Sequence, residues 1–210
     1  MKSAIYTLSQ LTQLVAEIDP TQIFVFTDET VVKDCYPLIK DLLPSHQLIV
    51  IPEGELQKTF ETCVNAWKIL TISNADRKSC LINLGGGVIG DMGGFIAGCY
   101  KRGIAYIQIP TTLLSMVDAS SGAKTGIDFL GYKNQLGLFY EPEAIVLHTG
   151  FLQSLSRRHL LSGFAEVIKH YAIADKDAFY NLLKVDVLGI DVNWENLVRK
   201  NIAIKTSFAE

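Results

Sequence analysis

A run of eight residues, Leu84 to Asp91, has the composition of a phosphate-binding turn. It reads Leu-Gly-Gly-Gly-Val-Ile-Gly-Asp, after an apolar stretch that predicts a buried strand and before small and apolar residues that predict a helix from Met92. Glycines at a strand-to-helix turn let a ligand approach the backbone, and the free N–H groups of a helix N-terminus suit a phosphate. Gly85, Gly87 and Gly90 match the G-x-G-x-x-G spacing of dinucleotide-binding turns, although such glycines also serve to pack a helix on a sheet.

Polar residues at three further points of the chain each have two interpretations. In the segment Pro-Glu-Gly-Glu-Leu-Gln-Lys that ends at Lys58, a carboxylate suits a ribose diol and the lysine suits a phosphate. In a plain surface loop, Glu55 and Lys58 would instead form a weak, solvated pair. Asp91, at the start of the predicted helix, either complements the helix dipole or contacts a ligand. Thr111 and Thr112 either cap a helix or face a cofactor.

Cationic and amide side chains form a candidate pocket for an anionic substrate, because ammonium and guanidinium groups bind carboxylate and phosphate. Glycines near Lys124 and Lys133 allow a backbone that turns both side chains inward, although lysines are more often solvated. The candidates are Arg102, Lys124, Lys133, Asn134 and Lys169.

Glu166 is a candidate metal ligand on a predicted helix. Lys169 follows it by three residues, and a surface ion pair is the simpler interpretation of this spacing. A metal site needs further ligands. His170 directly follows Lys169, and we therefore expect it to point away from Glu166. The histidines at 46, 148, 159 and 170 have no metal-binding spacing, and the chain alone predicts no complete metal site.

The elements that must position these residues alternate along the first part of the chain. The predicted strands are 5–8, 23–27, 48–51, 79–84, 105–109 and 144–147, and the predicted helices are 11–18, 30–43, 59–72 and 92–100. Such alternation predicts a parallel sheet with helices on both faces, and ligands of these sheets bind beyond the carboxyl ends of the strands. Asp28, the segment before Lys58, the glycine run and Thr111 all fall at those ends.

The later part of the chain has a different pattern. Residues 113–142 are less regular, and apolar residues recur at helical spacing from Phe151 onward. We therefore predict an α/β fold for residues 1–150, with a Rossmann-like, mostly parallel sheet flanked by helices. Residues 151–210 are predicted to begin an all-helical domain. The last stretch has no helix stop, as expected for a natural terminus or for a cut inside a longer protein.

Composition narrows the class of protein. The net charge of −3 gives no reason to expect nucleic acid or an anionic membrane surface as a partner. There is no apolar run long enough to span a membrane and no signal-peptide stretch. The four cysteines are widely separated, which favours reduced thiols and a cytoplasmic protein.

Seven motifs, in their order and spacing, resemble the 3-dehydroquinate synthase family of the shikimate pathway. They are Pro-Glu-Gly-Glu-Leu-Gln-Lys (52–58), Gly-Gly-Gly-Val-Ile-Gly-Asp (85–91), Tyr-Lys-Arg-Gly (100–103), Ile-Pro-Thr-Thr-Leu-Leu-Ser-Met-Val-Asp (109–118), Gly-Ala-Lys-Thr-Gly (122–126), Gly-Tyr-Lys-Asn (131–134) and Gly-Phe-Ala-Glu-Val-Ile-Lys (163–169). The resemblance runs from about the first strand to the last residue. It covers the family's nucleotide-binding domain and the opening of its helical domain.

The resemblance implies a role for each matching residue. Arg102 is implied to reach the phosphate pocket of a neighbouring subunit, so a homodimer is expected. Glu166 is implied to ligate zinc or cobalt. Substrate binding and catalysis are implied for Lys124, Asn134, Lys169 and Arg102. Contacts with NAD are implied for Asp28, Glu53, Gly54, Glu55, Lys58, Gly86, Gly87, Val88, Ile89, Gly90, Asp91, Thr111, Thr112, Asp118, Lys124, Lys133 and Ser154.

The implied reaction converts a sugar phosphate, 3-deoxy-D-arabino-heptulosonate 7-phosphate, to 3-dehydroquinate and phosphate. NAD transiently oxidises the C5 alcohol with help from the metal, phosphate is eliminated, the ketone is reduced again, and ring opening and an aldol closure follow. Two small departures from the family are Ala123, where glycine is usual, and Ser154, where threonine is usual.

Family members continue past residue 210, and that part carries the two zinc-ligating histidines. We therefore expect an N-terminal fragment that does not perform the full reaction. Three alternatives stay open: another sugar-phosphate cyclase, a metal-dependent NAD alcohol dehydrogenase that accumulates NADH, and a non-catalytic NAD-binding module.

Overall fold

The computed structural model describes residues 4–119, 122–182 and 192–208. The strands are Ala4–Thr7 (β1), Ile23–Asp28 (β2), Gln47–Ile51 (β3), Cys80–Gly85 (β4), Ala105–Pro110 (β5), Lys124–Phe129 (β6), Tyr132–Phe139 (β7) and Ala144–Leu147 (β8). The α-helices are Leu11–Ile18 (α1), Glu29–Asp34 (α2), Phe60–Ile72 (α3), Gly87–Cys99 (α4), Arg157–Ala174 (α5), Lys176–Leu182 (α6) and Trp194–Phe208 (α7).

Six of the strands form one parallel sheet in the order β1-β8-β5-β4-β2-β3. Its central strands are apolar on both faces, and all six residues of β4 are buried. This is the pattern of a parallel sheet that helices cover on both sides. The predicted α/β fold with a Rossmann-like parallel sheet is confirmed, and all six predicted strands are present.

Helices pack on both faces of the sheet because successive strand side chains point to opposite sides. Phe24 and Phe26 face the layer of α3 and α4, whereas Val25 faces the layer of α1 and α2. Helices α5 and α7 add apolar side chains to that second layer, among them Val167 and Ile202. The boundary near residue 150 and the separate all-helical domain stay predictions.

Two predicted helix boundaries are wrong. The helix predicted over 30–43 ends at Asp34 and continues as two 3₁₀ turns, Tyr36–Leu38 and Lys40–Leu42. Pro37 explains the break, because its nitrogen has no hydrogen to donate to the preceding turn. Helix α4 begins at Gly87 rather than Met92. Gly87 and Gly90 are therefore helical, whereas Gly85 ends β4 and Gly86 is the N-cap.

The irregular structure expected over 113–142 is also wrong for most of that stretch. Strands β6 and β7 form an antiparallel hairpin, separate from the main sheet, with the turn at Leu130 and Gly131. Both turn residues have positive φ, 50° and 81°. Gly126 and Gly137 oppose each other, and a Cβ atom on Gly126 would lie 2.7 Å from the Leu136 carbonyl oxygen.

Helix α3 packs on the sheet through residues spaced three and four apart. Cys63, Ala66 and Leu70 face the core, while Phe60 lies exposed and Trp67 is half-buried. Across the described parts of the chain, no helix has the length and apolarity needed to cross a membrane.

Candidate functional site

A cleft of about 490 Å³ lies between α4, the β6–β7 hairpin and α7. The charged and amide side chains that line it are Asp91, Asp118, Lys124, Asn134, Gln135 and Lys205. Asp91 comes from α4, Lys124 and Asn134 come from the hairpin, and Lys205 comes from α7. The cleft therefore gathers four of the predicted site residues with one lysine that sequence reasoning missed.

The glycine turn lies at the carboxyl end of β4 and precedes Asp91, which lines this cleft. Gly86 is the N-cap of α4, and a Cβ atom there would lie 3.1 Å from the methyl carbon of Thr112. The first helical hydrogen bond runs from the Gly90 N–H to the Gly86 carbonyl. The N–H groups of Gly87, Val88 and Ile89 consequently have no acceptor within the helix, which suits an anion.

Gly90 and Gly93 lie on the buried side of α4 rather than at the turn. A Cβ atom on Gly90 would be 2.4 Å from the amide nitrogen of Gln108, and one on Gly93 would be 2.1 Å from the amide oxygen of Asn83. The two amides are hydrogen-bonded across β4 and β5 at 3.0 Å. Gly90 therefore serves to pack the helix on the sheet, whereas Gly86 and Gly87 form the strand-to-helix turn.

Lys58 ties three segments together beneath the cleft. Its side chain is 4% exposed, and its Nζ donates to Asp91 Oδ2 at 2.7 Å and to Asn134 Oδ1 at 2.6 Å. Its carbonyl oxygen accepts from the Asp128 N–H at 2.9 Å. Asp91 lies in the second turn of α4, so its predicted position at the helix start is wrong. Burial raises the pKa of the Asp91 carboxyl, and Lys58 opposes that shift.

A strained backbone presents Asn134 to this lysine. Asn134 has a φ of 51°, in the left-handed region that most residues avoid. Its N–H donates to Asp128 Oδ1 at 2.8 Å, which holds that conformation. Ala123, immediately before Lys124, also has a positive φ of 56°.

A second ion pair joins the hairpin to the loop after β3. Lys133 Nζ lies 2.8 Å from Glu55 Oε1, and both side chains are exposed. The hydrogen bond to Glu55 raises the pKa of the Lys133 ammonium. The contacts of Lys58, Lys133 and Asp128 together fasten the hairpin to the segment 55–58.

Three further predicted residues lie at the end of β2 or just after β3. Asp28 accepts from the Val31 N–H at 2.9 Å and caps α2, and burial raises the pKa of its carboxyl. Glu53 accepts from the Thr30 hydroxyl at 2.5 Å. Gly54 has a φ of 114° and open space around it.

Asp118, Glu166 and His170 form a cluster of three possible metal ligands. One ligand atom from each lies within 4.8 Å of the other two. His170 Nε2 is 3.2 Å from Glu166 Oε1, so the expectation that His170 points away is wrong. The reason is that residues four apart share one face of a helix. Glu166 also pairs with Lys169 at 2.6 Å, as its spacing predicted.

Helix α7 completes the surroundings of this cluster. His170 Nδ1 lies 3.1 Å from Asn201 Oδ1, and Asn201 Nδ2 donates to the Leu197 carbonyl at 2.8 Å. Lys205, one turn after Asn201, pairs with Asp118. Asn201 and Lys205 lie four apart and so share one face of α7, but no motif in the sequence marks them as site residues. Two carboxylates and an oriented imidazole suit a divalent cation such as zinc.

Four predicted residues lie elsewhere or serve local packing. Arg102 is exposed beside Lys101 in an open cationic depression near the start of β4, away from the cleft. Ser154 donates to the Phe151 carbonyl at 3.0 Å. Thr112 Oγ1 lies 2.8 Å from Ser115 Oγ and caps the turn that follows β5, while Thr111 is buried.

The chain is similar to known proteins over its whole described length. A family model described as 3-dehydroquinate synthase N-terminal matches residues 48–162. A 3-dehydroquinate synthase of Parabacteroides distasonis is 37% identical over 206 residues, which are 96% of this chain and 58% of that protein. One of Pyrococcus abyssi is 43% identical over 214 residues, 100% of this chain and 63% of that protein. The chain thus spans about three-fifths of the length of these relatives.

A solved structure supports the fold. 2-Deoxy-scyllo-inosose synthase, in a complex with carbaglucose-6-phosphate, NAD⁺ and Co²⁺, superposes with a TM-score of 0.79. It is 22% identical, and the match covers 98% of this chain and 58% of that one. At this identity the likeness describes the fold alone.

Proposed function

Because the chain belongs to the 3-dehydroquinate synthase family, we propose that it supplies the NAD-binding part and several substrate-binding residues of a 3-dehydroquinate synthase. The proposed reaction is the conversion of 3-deoxy-D-arabino-heptulosonate 7-phosphate to 3-dehydroquinate and phosphate, a lyase step of the shikimate pathway. The observation that carries the proposal is the convergence of Asp91, Lys124, Asn134 and Asp118 on one cleft beside the glycine turn.

We assign the NAD site to the carboxyl ends of β2, β3 and β4. The free N–H groups of Gly87, Val88 and Ile89 suit the pyrophosphate, because the helix dipole adds to their attraction for an anion. Glu55 and Lys133, which pair with each other at 2.8 Å, offer a carboxylate for a ribose and an ammonium for a phosphate. NAD, when bound, supplies reversible hydride transfer at the substrate alcohol.

We assign the metal site to Glu166, with Asp118 and His170 as neighbouring donors. A divalent cation at this place, zinc or cobalt, supplies polarisation of a substrate oxygen when bound. Asn201 orients the His170 ring, and the carboxylate of Glu166 is largely buried, with 17% of its side chain exposed. These residues hold the cation side of the cleft in one geometry before any ligand arrives.

The substrate anion is assigned to the cationic residues around the cleft. Lys124 and Lys205 line it, and Lys169 pairs with the metal candidate Glu166 at 2.6 Å. Asn134 presents an amide whose oxygen Lys58 already holds, so its NH₂ group is left to donate to a substrate hydroxyl or phosphate. Together these side chains bind and orient a flexible sugar phosphate beside the nicotinamide.

We also propose that the protein is a homodimer. Arg102 lies away from the cleft of its own chain, in an open depression with Arg77, Lys78 and Lys101. Its exposed guanidinium group is available to a phosphate site of another subunit. Sedimentation velocity tests this assignment, and a monomer at micromolar concentration would contradict it.

The experiment that tests the function has two parts. NAD⁺ is titrated into the chain with tryptophan fluorescence as the readout, and Asp91→Asn is expected to weaken binding, whereas Asp177→Asn on the exposed face of α6 is not. Phosphate release from the heptulosonate phosphate is then measured for the chain completed to the length of its relatives. Binding of NAD⁺ without phosphate release would indicate a non-catalytic NAD-binding module. Release of phosphate from sedoheptulose 7-phosphate instead would indicate another sugar-phosphate cyclase.

A further inference from the structure

Both carboxylates of the Asp118–Glu166–His170 cluster already have an ammonium partner. Glu166 Oε1 is 2.6 Å from Lys169 Nζ, and Asp118 Oδ1 contacts Lys205 Nζ. The lysines approach from outside the cluster, since more than half of the Lys169 side chain is exposed and Lys205 lines the cleft. The cluster is therefore neutralised by the chain's own cations.

A divalent cation and these ammonium groups require the same oxygen atoms. Glu166 Oε1 serves Lys169 and His170 at once, and Asp118 Oδ1 serves Lys205. An incoming cation would use those lone pairs and repel the ammonium groups, because like charges at such distances oppose each other. Lys205 would then be left in the cleft without its counter-ion.

We propose that Lys169 and Lys205 are built-in counter-ions that a divalent cation displaces, and that the released ammonium groups bind the anionic part of the substrate. This inference rests on the proposed function of the cleft. It makes cation and anion binding positively coupled: each ligand raises the affinity for the other. By thermodynamic linkage, the two enhancement factors are equal.

The size of the coupling follows from the exposure of the pairs. About 30% of each side chain in the Lys205–Asp118 pair is exposed, and 59% of Lys169. Pairs of this kind contribute little, so their release is expected to change affinity by about two- to fivefold. The coupling is modest but within the range of a titration.

The test uses sulfate as the anionic probe and NMR titration of the chain without metal. Asp118→Asn frees Lys205 from its partner and is expected to tighten sulfate binding about two- to fivefold. Lys205→Met is expected to weaken it. In the Lys205→Met background, Asp118→Asn should give no tightening, because the effect requires the released ammonium.

A matched control separates this effect from general charge. Glu195→Gln breaks the exposed Glu195–Arg199 pair on the same helix and changes the net charge by the same amount. It should leave the sulfate affinity unchanged. Equal tightening by Asp118→Asn with and without Lys205 would overturn the proposal, because it would show that only the lost negative charge matters.

A second measurement needs no variant. In the wild-type chain with ¹³C-methylated lysines, Zn²⁺ should shift the signals of Lys169 and Lys205 but not that of exposed Lys68. Zn²⁺ should also tighten sulfate binding, and sulfate should tighten Zn²⁺ binding by the same factor. Unshifted lysine signals, or no Zn²⁺ binding, would overturn the proposal. NAD⁺ binding in the same samples reports separately on the proposed function.

Discussion

Lys58 shows what a single residue contributes to this site. Its ammonium group is buried beneath the cleft, where it holds a carboxylate of α4 and an amide of the hairpin within 2.7 Å. A buried charge is tolerated only when its partners replace the lost water. The same contacts that neutralise Lys58 therefore fix the relative positions of Asp91 and Asn134.

Replacing Lys58 with methionine is expected to lower the free energy of unfolding by about 1–3 kcal/mol, because it leaves the Asp91 carboxylate half-buried without its counter-charge. Chemical denaturation measures this change. Lys68→Met, on the exposed side of α3, is the control and should stay within about 0.5 kcal/mol of the wild type.

The double variant Lys58→Met/Asp91→Asn sharpens this prediction. It removes the unpaired charge and should recover part of the lost stability. If the double variant lost as much unfolding free energy as the two single variants together, Lys58 and Asp91 would not interact.

Sequence reasoning found most of these residues but not their partners. Lys58, Asp91 and Asn134 were each candidates for a ligand contact, yet nothing in their spacing indicated that they bond to one another. The prediction for His170 is wrong because a residue four positions after Glu166 lies on the same face of the helix, whatever its neighbour. Pairing depends on tertiary structure, which motifs do not encode.

At the scale of elements, α4 lies close to the sheet because Gly90 and Gly93 have no side chains. They face the side-chain amides of Gln108 on β5 and Asn83 on β4. Helix α4 thus acts as the element that links the sheet core to the ligand site.

Gly93→Ala is expected to destabilise the fold by about 1–3 kcal/mol, because the new methyl group would overlap the buried Asn83 amide. The second-site variant Asn83→Ala removes that overlap and should restore part of the loss. Thermal unfolding measures the stability of Gly93→Ala and of the double variant, and NAD⁺ titration shows whether each still binds the cofactor. A Gly93→Ala protein as stable as the wild type would mean that the amide moves aside freely.

The hairpin depends on an unusual backbone at Asn134. Asn134→Ala loses the hydrogen bond to Lys58 and also places alanine at a φ of 51°, whereas Asn134→Gly loses only the hydrogen bond. We expect the alanine variant to be less stable than the glycine variant by about 1 kcal/mol. Equal stabilities in denaturant would show that the left-handed backbone carries no strain.

The hairpin was also the element that sequence reasoning missed. Its turn contains Leu130 at positive φ, where asparagine or aspartate usually indicates a tight hairpin. Strand β7 exposes most of its side chains, so the alternation that marks a half-buried strand is weak. The buried parallel strands, by contrast, were found because their apolar runs are continuous.

At the scale of the whole molecule, stability should depend on pH in the alkaline range. Burial raises the pKa of the Cys35 thiol to about 11 and those of Cys63 and Cys80 to about 12, from an ordinary value of 9.0. Above that ordinary value the folded protein holds protons that the unfolded chain has lost. The stabilisation is therefore complete below pH 9 and is lost as the pH rises through the folded values.

Denaturation between pH 9 and 11 measures this loss, which approaches about 1.4 kcal/mol per pH unit for each buried thiol. Cys80→Ala is expected to reduce the slope by one such contribution, and Cys99→Ala, at an exposed position, should change it less. If Cys80→Ala left the pH dependence of the unfolding free energy unaltered, the Cys80 thiol would not contribute to it.

The order of strands in the sheet also has a consequence for synthesis on the ribosome. Strand β1 pairs in parallel with β8, so that Ala4 lies opposite Ala144. During translation β1 is synthesised before its partner β8, on the order of ten seconds earlier at usual elongation rates. Strand β1 must wait unpaired while the β2–β5 core assembles, and the pairing of β1 with β8 is expected to be the last step in forming the sheet.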